Sequence, residues 1–170
     1  ANLTFTSLGA TAAASSVNFD TAGANGGLIS LTGQAATTAT NLPGTANFQG
    51  HLYINGADFA TINGSAQVVA PTYAAAGNFQ NAASALVAAV HNKLTGSFTN
   101  AAATVSSLVT NNQTLTLSGN LSVSTGGILQ SGGTATIQSD SGTSRLILGG
   151  AAATNIAIRV NGASDVLNLG

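Results

Sequence analysis

Charge is what this sequence has least of. Three basic and four acidic residues are spread over 170 positions, and there is no cysteine, no methionine and no tryptophan. Charged residues make up 4% of the chain, against about 25% in an ordinary soluble domain. The acids are Asp20, Asp58, Asp140 and Asp165, the cations Lys93, Arg145 and Arg159, and glutamate is absent. Each absence argues against a class of function. Three scattered cations make no basic stripe for a phosphate backbone, so no nucleic-acid partner is expected. Without cysteine there are neither disulfides nor thiolate metal ligands. The longest apolar run, Ala82 to Val90, is too short and too rich in alanine to cross a bilayer, so no membrane insertion of this segment is expected. A chain without methionine reads as a processed product or a piece of a longer protein. Polarity rests on Thr, Ser, Asn and Gln, and charge this low is frequent in secreted surface proteins, so an extracellular location is expected.

Chemistry is equally sparse. His51 and His91 are the groups that titrate near neutrality. His51 falls in a strand on the same face as Tyr53, with Asp58 the one carboxylate near it in sequence, and reads as a surface histidine. His91 reads as the C-terminal residue of a helix, where a cation is tolerated. The aspartates form no Asp-x-Asp pair and match neither a calcium loop nor the Gly-Gly-x-Gly-x-Asp repeat; Asp140 and Asp165 read as turn residues. There is no Gly-x-Ser-x-Gly, and Gly126-Gly127 and Gly132-Gly133 lack the lysine of a phosphate loop. Asn-x-Ser/Thr at Asn2, Asn63, Asn112 and Asn120 is explained by composition. No catalytic, cofactor-binding or metal residues are assigned, no cofactor is expected, and the chain does not read as an enzyme.

What the sequence has in abundance is short alternation. Leu115-Thr-Leu117, Ala135-Thr-Ile137 and Ile156-Ala-Ile158 recur at spacings of 20 and 21, as do Gly126-Gly-Ile128, Leu146-Ile-Leu148 and Leu167-Asn-Leu169. Period-2 segments with a polar turn after each cannot bury an apolar face alone, so neighbours must stack. The spacing predicts one buried column through Leu117, Ile137 and Ile158 and another through Ile128, Leu148 and Leu169. The expected fold is all-β, a β-solenoid over residues 95–170, with a β-hairpin and short-helix insertion before it.

The N-terminal residues 1–47 carry the same style less regularly, in Leu3-Thr-Phe5, Val17-Asn-Phe19 and Leu28-Ile-Ser-Leu31. Within 48–94, Asn55-Gly56 and Asn63-Gly64 supply the positive-φ pairs of type I′ turns and predict antiparallel strands at about 49–54, 57–62 and 65–70. Phe79, Ala82, Ala83, Leu86, Val87 and Val90 then fall on one face of a helix, predicted over 79–92.

Residues 103–137, ATVSSLVTNNQTLTLSGNLSVSTGGILQSGGTATI, resemble the autotransporter-associated β-strand repeat of very large bacterial surface proteins, and residues 58–74 resemble a segment that often introduces such repeats. The resemblance covers about half the chain. It implies a secreted, rod-like passenger built as a parallel β-solenoid (right-handed β-helix), without cofactor or active site. The function expected is that of a structural segment of a secreted bacterial cell-surface fibre or surface layer, mechanical and adhesive. Its expected partners are further copies associated end to end, the continuation of a longer chain, or surface glycans. The alternative is a ligand-binding β-solenoid, an ice- or carbohydrate-binding module. For ice, Thr114-Leu-Thr116 and Thr134-Ala-Thr136 lie one repeat apart.

Overall fold

A computed structural model describes residues 2–6, 16–21, 27–33, 51–149 and 156–170. They are all-β, with no helix among the described residues, and fall into two compact units, 1–71 and 72–170.

In the first unit β1 (Leu3–Phe5) pairs in parallel with β3 (Ile29–Leu31), and β2 (Ser16–Phe19) pairs in parallel with β4 (His51–Ile54). The chain thus visits two ladders in turn. Two small hairpins follow: β4 with β5 (Asp58–Phe59), and β6 (Thr61–Ile62) with β7 (Val68–Val69). The first is the type I′ turn expected, with φ of 51° at Asn55 and 66° at Gly56. The second is not. There the residue with positive φ is Ala66, at 59°, because the Asn63 carboxamide accepts from the Ser65 and Gln67 amides and winds the turn around itself. Leu31, Leu52, Ile54, Ala60, Ile62, Val68 and Phe19 form the core.

The second unit is built of β8 (Phe79–Ala82), β9 (His91–Leu94), β10 (Phe98–Asn100), β11 (Ala103–Val109), β12 (Thr114–Leu117), β13 (Leu121–Gln130), β14 (Thr134–Ser139), β15 (Leu146–Leu148), β16 (Ile158–Val160) and β17 (Val166–Leu169). Every pairing here is parallel. One sheet runs β10-β12-β14-β17; the other runs β8-β9-β11-β13-β15, with β16 also on β13. From β9 to β15 successive strands alternate between the two sheets, and one core between them takes Leu115, Leu117 and Ile137 from the first and Leu94, Val105, Leu108, Leu121, Val123 and Ile128 from the second. The β-branched and leucine residues of Thr-Leu-Thr-Leu and Thr-Ala-Thr-Ile alternate buried and outward.

Two expectations fail here. The step between paired residues is not fixed at 20–21. It is 12 from Phe79 to His91, 16 from His91 to Ser107, 20 from Ser107 to Gly127 and 30 from Ile128 to Ile158. The expected columns are therefore out of register. Leu117 lies beside Ser139, while Ile137 lies between Leu115 and Leu169. Ile158 belongs to the other sheet beside Ile128, and Leu148 lies beside Val123. The physical cause is chain inserted at turns and bulges: β13 holds two more residues than β11 between the Val105–Val123 and Ser107–Gly127 rungs. The columns that do form run Phe98–Leu115–Ile137–Leu169, Leu108–Ile128–Ile158 and Val105–Val123–Leu148.

The helix over 79–92 is the third correction. Its ends are β8 and β9, and Ala89 between them has a left-handed φ of 59°. Asn92, fully buried, holds the intervening loop: it accepts from Val87 N and donates to the carbonyls of Val87 and Val90. Alanine's helix propensity is worth a few tenths of a kcal/mol per residue, which pairing in a sheet outweighs.

Candidate functional site

The two histidines part company. His51 lies in β4, and the hairpin register sets Asp58 across from Ile54 rather than across from His51. Asp58 is buried and its carboxylate accepts from the amide of Phe59. The sequence does place the histidine and the acid on one hairpin, but the strands do not bring them opposite each other.

His91 is not a surface residue at a helix end. In β9 it is fully buried, stacked on the Phe79 ring with centroids 4.6 Å apart, and its Nδ1 lies 2.7 Å from the hydroxyl of Ser107. The register explains this: Phe79, His91, Ser107 and Gly127 are successive rungs of one row. A hydroxyl against an imidazole is the beginning of a nucleophile–base pair. Both groups are buried here, and neither of the flanking rungs, Phe79 and Gly127, supplies a carboxylate. The pair fills a row of the sheet. Sequence reasoning missed it because the 16-residue step that joins the two residues differs from the 20–21 spacing that is visible. Beside it Lys93 Nζ stands 5.2 Å from the Tyr73 ring centre, and Tyr73 meets Phe79 edge-on at 5.8 Å.

Asp165 is a turn residue, as expected, with a task. Its carboxylate accepts from the amides of Gly133 at 2.7 Å, Gly162 at 2.8 Å and Gly132 at 3.2 Å. It thereby ties the turn before β14 to the turn before β17. These amides, Gly133 first, hold its carboxyl below the usual carboxylate range.

Asparagine does the same work without charge. Asn100 Oδ1 accepts from Leu86 N, Asn112 Oδ1 from Thr134 N and Asn120 Oδ1 from Arg145 N. In the first unit Asn2, Asn18 and Asn55 accept from the amides of Leu28, Gly56 and Thr21. Each bond joins a turn or strand end to a segment distant in sequence and satisfies an amide that no ladder reaches.

The threonines expected to form an array sit on the outward face of the four-stranded sheet, in a different register. Thr114 lies beside Thr136 and Thr116 beside Thr99 and Gln138, while Thr134 lies beside Val166. The expected Thr-x-Thr match across one repeat is displaced by two residues. Among the described residues no group of three or more His, Cys, Asp or Glu side chains is placed to hold a metal, and no helix is long and apolar enough to cross a membrane.

In comparison with known proteins, no family model matches the chain, and neither a curated protein nor a solved structure is similar to it.

Proposed function

We propose that this chain is a structural segment of a secreted bacterial surface fibre or surface layer, built as a parallel, right-handed β-solenoid and without catalysis. The observation that carries the reading is the alternation of strands between two parallel sheets, each strand pairing with the one a circuit later. Hydrogen bonds would run along the stack, the leucine, isoleucine and valine columns would keep water out, and the asparagine and aspartate links would hold the turns together. Its contribution is length, stiffness and an uncharged polar exterior. Burial of those columns would supply the stability, at about 25 cal/mol per Å² of apolar surface. The resemblance of residues 103–137 to surface-protein repeats supports the location, as does the low charge. Electron microscopy of the native assembly, with antibody labelling of intact cells, is the test. Rods at the cell surface are expected; a globular particle confined to the cytosol would overturn the reading.

A ligand-binding solenoid is the second reading, favoured by the two Thr–Thr rungs on an uncharged outward face, Thr99–Thr116 and Thr114–Thr136. An ice-recrystallisation assay and a glycan array decide it: activity in either would move the function from scaffold to binding face.

A further inference from the structure

The hairpins of the first unit hold two Asn-Gly dipeptides, and the fold treats them in opposite ways. Asn55-Gly56 turns β4 into β5 with left-handed φ of 51° and 66°, and Gly56 is buried. The Gly56 amide donates to Asn18 Oδ1 at 2.7 Å. Asn55 Oδ1 accepts from Thr21 N at 2.7 Å and from Thr21 Oγ1 at 3.1 Å. Asn63-Gly64 lies between β6 and β7. There the carboxamide oxygen accepts from Ser65 N at 2.9 Å and Gln67 N at 3.0 Å, and Nδ2 donates to Gln67 Oε1 at 2.9 Å. Gly64 is exposed and outside the left-handed region, and nothing stands within 4 Å of the place a Cβ would take. Among the described residues no group accepts from its amide.

We propose that Asn63 is a self-modifying site, converted by its own backbone to aspartate or isoaspartate, and that Asn55 is protected from the same reaction. This chemistry needs only the two hairpins and is independent of what the chain builds. The amide nitrogen of the following glycine loses its proton and attacks the carboxamide carbon. A C–N bond forms, ammonia leaves, and water opens the resulting five-membered imide at either of its carbonyls. The attacking amide must first give its proton to solvent, as in hydrogen exchange, so the exposed Gly64 amide can react from the folded state. The Ser65 and Gln67 amides already point at the oxygen on which negative charge develops, as donors in an oxyanion hole do. Gly64 presents no side chain to obstruct the approach. At Asn55 the oxygen is likewise held by donors, so the difference lies in the nucleophile. The Gly56 amide is buried and committed to Asn18, and local opening must release it before it can ionise. The hairpin also accommodates the product. A carboxylate at 63 accepts from the same two amides, more strongly as an anion, and gives up the bond to Gln67. Isoaspartate would instead lengthen the backbone next to the Ile62–Val68 rung, whose side chains lie in the core.

The test is prolonged incubation of the purified chain in mildly alkaline buffer, read by peptide mass spectrometry that separates aspartate from isoaspartate. Asn63 should convert about tenfold faster than Asn55 or more, from the burial and the hydrogen bond that hold the Gly56 amide. In urea both turns are lost, and the two dipeptides should convert at similar rates. Gly64→Ala has room and an unstrained φ, so the melting temperature should stay unchanged while conversion at Asn63 slows by about tenfold or more. Asn18→Ala alters an exposed side chain and releases the Gly56 amide. It should speed conversion at Asn55 and leave Asn63 as it was. Should that chain lose its β spectrum, hydrogen exchange on the wild type decides instead: Gly64 must exchange faster than Gly56. Equal rates in the folded chain, or faster conversion at Asn55, would overturn the proposal. So would an Asn63 that stays intact in the folded chain while the urea-unfolded chain converts. A difference that persists unchanged in urea would overturn it too, by assigning the rates to neighbouring sequence rather than to the fold.

Discussion

The middle of the second unit and its last strands are made of the same kind of sequence and end in opposite states. Leu108, Leu121, Ile128 and Leu129 in β11 and β13 are fully buried, whereas Leu148, Ile158 and Leu169, in strands of the same pattern, stand open. What differs is a neighbour. A strand in a stack is buried by the rung on each side of it, so its stability is shared with its position in the stack rather than owned by its residues. This makes the contribution of a residue here readable from its place in a column.

The largest effect should separate the two regions. Ile128→Ala in β13 should cost about 2–5 kcal/mol, because the rungs on both sides keep the cavity from collapsing. Ile158→Ala, one rung later in the same column, should cost less than about 1.5 kcal/mol. Denaturant titrations in dilute solution, where copies stay apart, measure both. Equal costs would mean that the column is not the unit of stability.

A smaller effect tests why the register drifts. Gly127 has φ of 87°, and a Cβ there would collide with the carbonyl of Ala157, just before the neighbouring strand β16. Gly127→Ala should therefore cost about 2–4 kcal/mol, from the left-handed backbone and the displaced strand together. Gly132 also has a positive φ, 84°, but nothing stands near its Cβ position. Gly132→Ala should cost about 1 kcal/mol, the backbone share alone. Thermal melts of the pair separate strain from close approach, and identical shifts would remove the packing argument.

Much of this fold was legible and some was not, for reasons that lie in particular residues. Thr114-Leu-Thr-Leu117 and Thr134-Ala-Thr-Ile137 announce half-buried strands, and Asn55-Gly56 announces its turn, because those signals are local. Which strand pairs with which is not local. The two extra residues within β13 and the longer connections after β14 and β15 shift each rung by amounts that no period shows. The helix over 79–92 does not form, because Phe79, Ala82, Ala83, Leu86, Val87 and Val90 satisfy a helical face simply by the density of apolar residues in this stretch. The side chain that decides the loop is Asn92, whose three bonds to Val87 and Val90 depend on a turn the pattern does not display. The His91–Ser107 pair was hidden for the same reason as the columns: it needs the register first.

The links between turns are weaker than the columns and should show it. Asn112 has a left-handed φ of 60° and accepts from Thr134 N, so it combines two tasks. Asn112→Gly keeps the backbone and loses the acceptor, and should cost about 0.5–1.5 kcal/mol, the net worth of one hydrogen bond. Asn112→Asp keeps an acceptor and should recover most of it. If glycine and aspartate behaved alike in urea titrations, the carboxamide would not be linking the turn before β12 to the start of β14.

The smallest effect is the one that carries charge. Asp165 joins the glycine turns at 132–133 and 162 as a carboxylate, and the same amides lower its pKa in the folded chain below the ordinary value of 3.8. A group with a depressed folded pKa contributes stability that is present above its unfolded pKa and is lost as pH falls through the folded value, because the unfolded chain takes up the proton first. Asp165→Asn removes this titration while retaining an amide oxygen that can accept one of the three bonds. The wild type should melt above the variant at neutral pH, and the gap should begin to narrow below about pH 4 and close at lower pH. The side chain is only half-buried, so the gap at neutral pH should be small and added salt should shrink it. Few other groups confuse the readout, since the chain holds three further acids. Melting temperatures measured for both chains from about pH 7 to about pH 2 give the result. A gap that stays constant across that range would show that Asp165 holds the two turns by geometry alone, and that its charge plays no part in joining them.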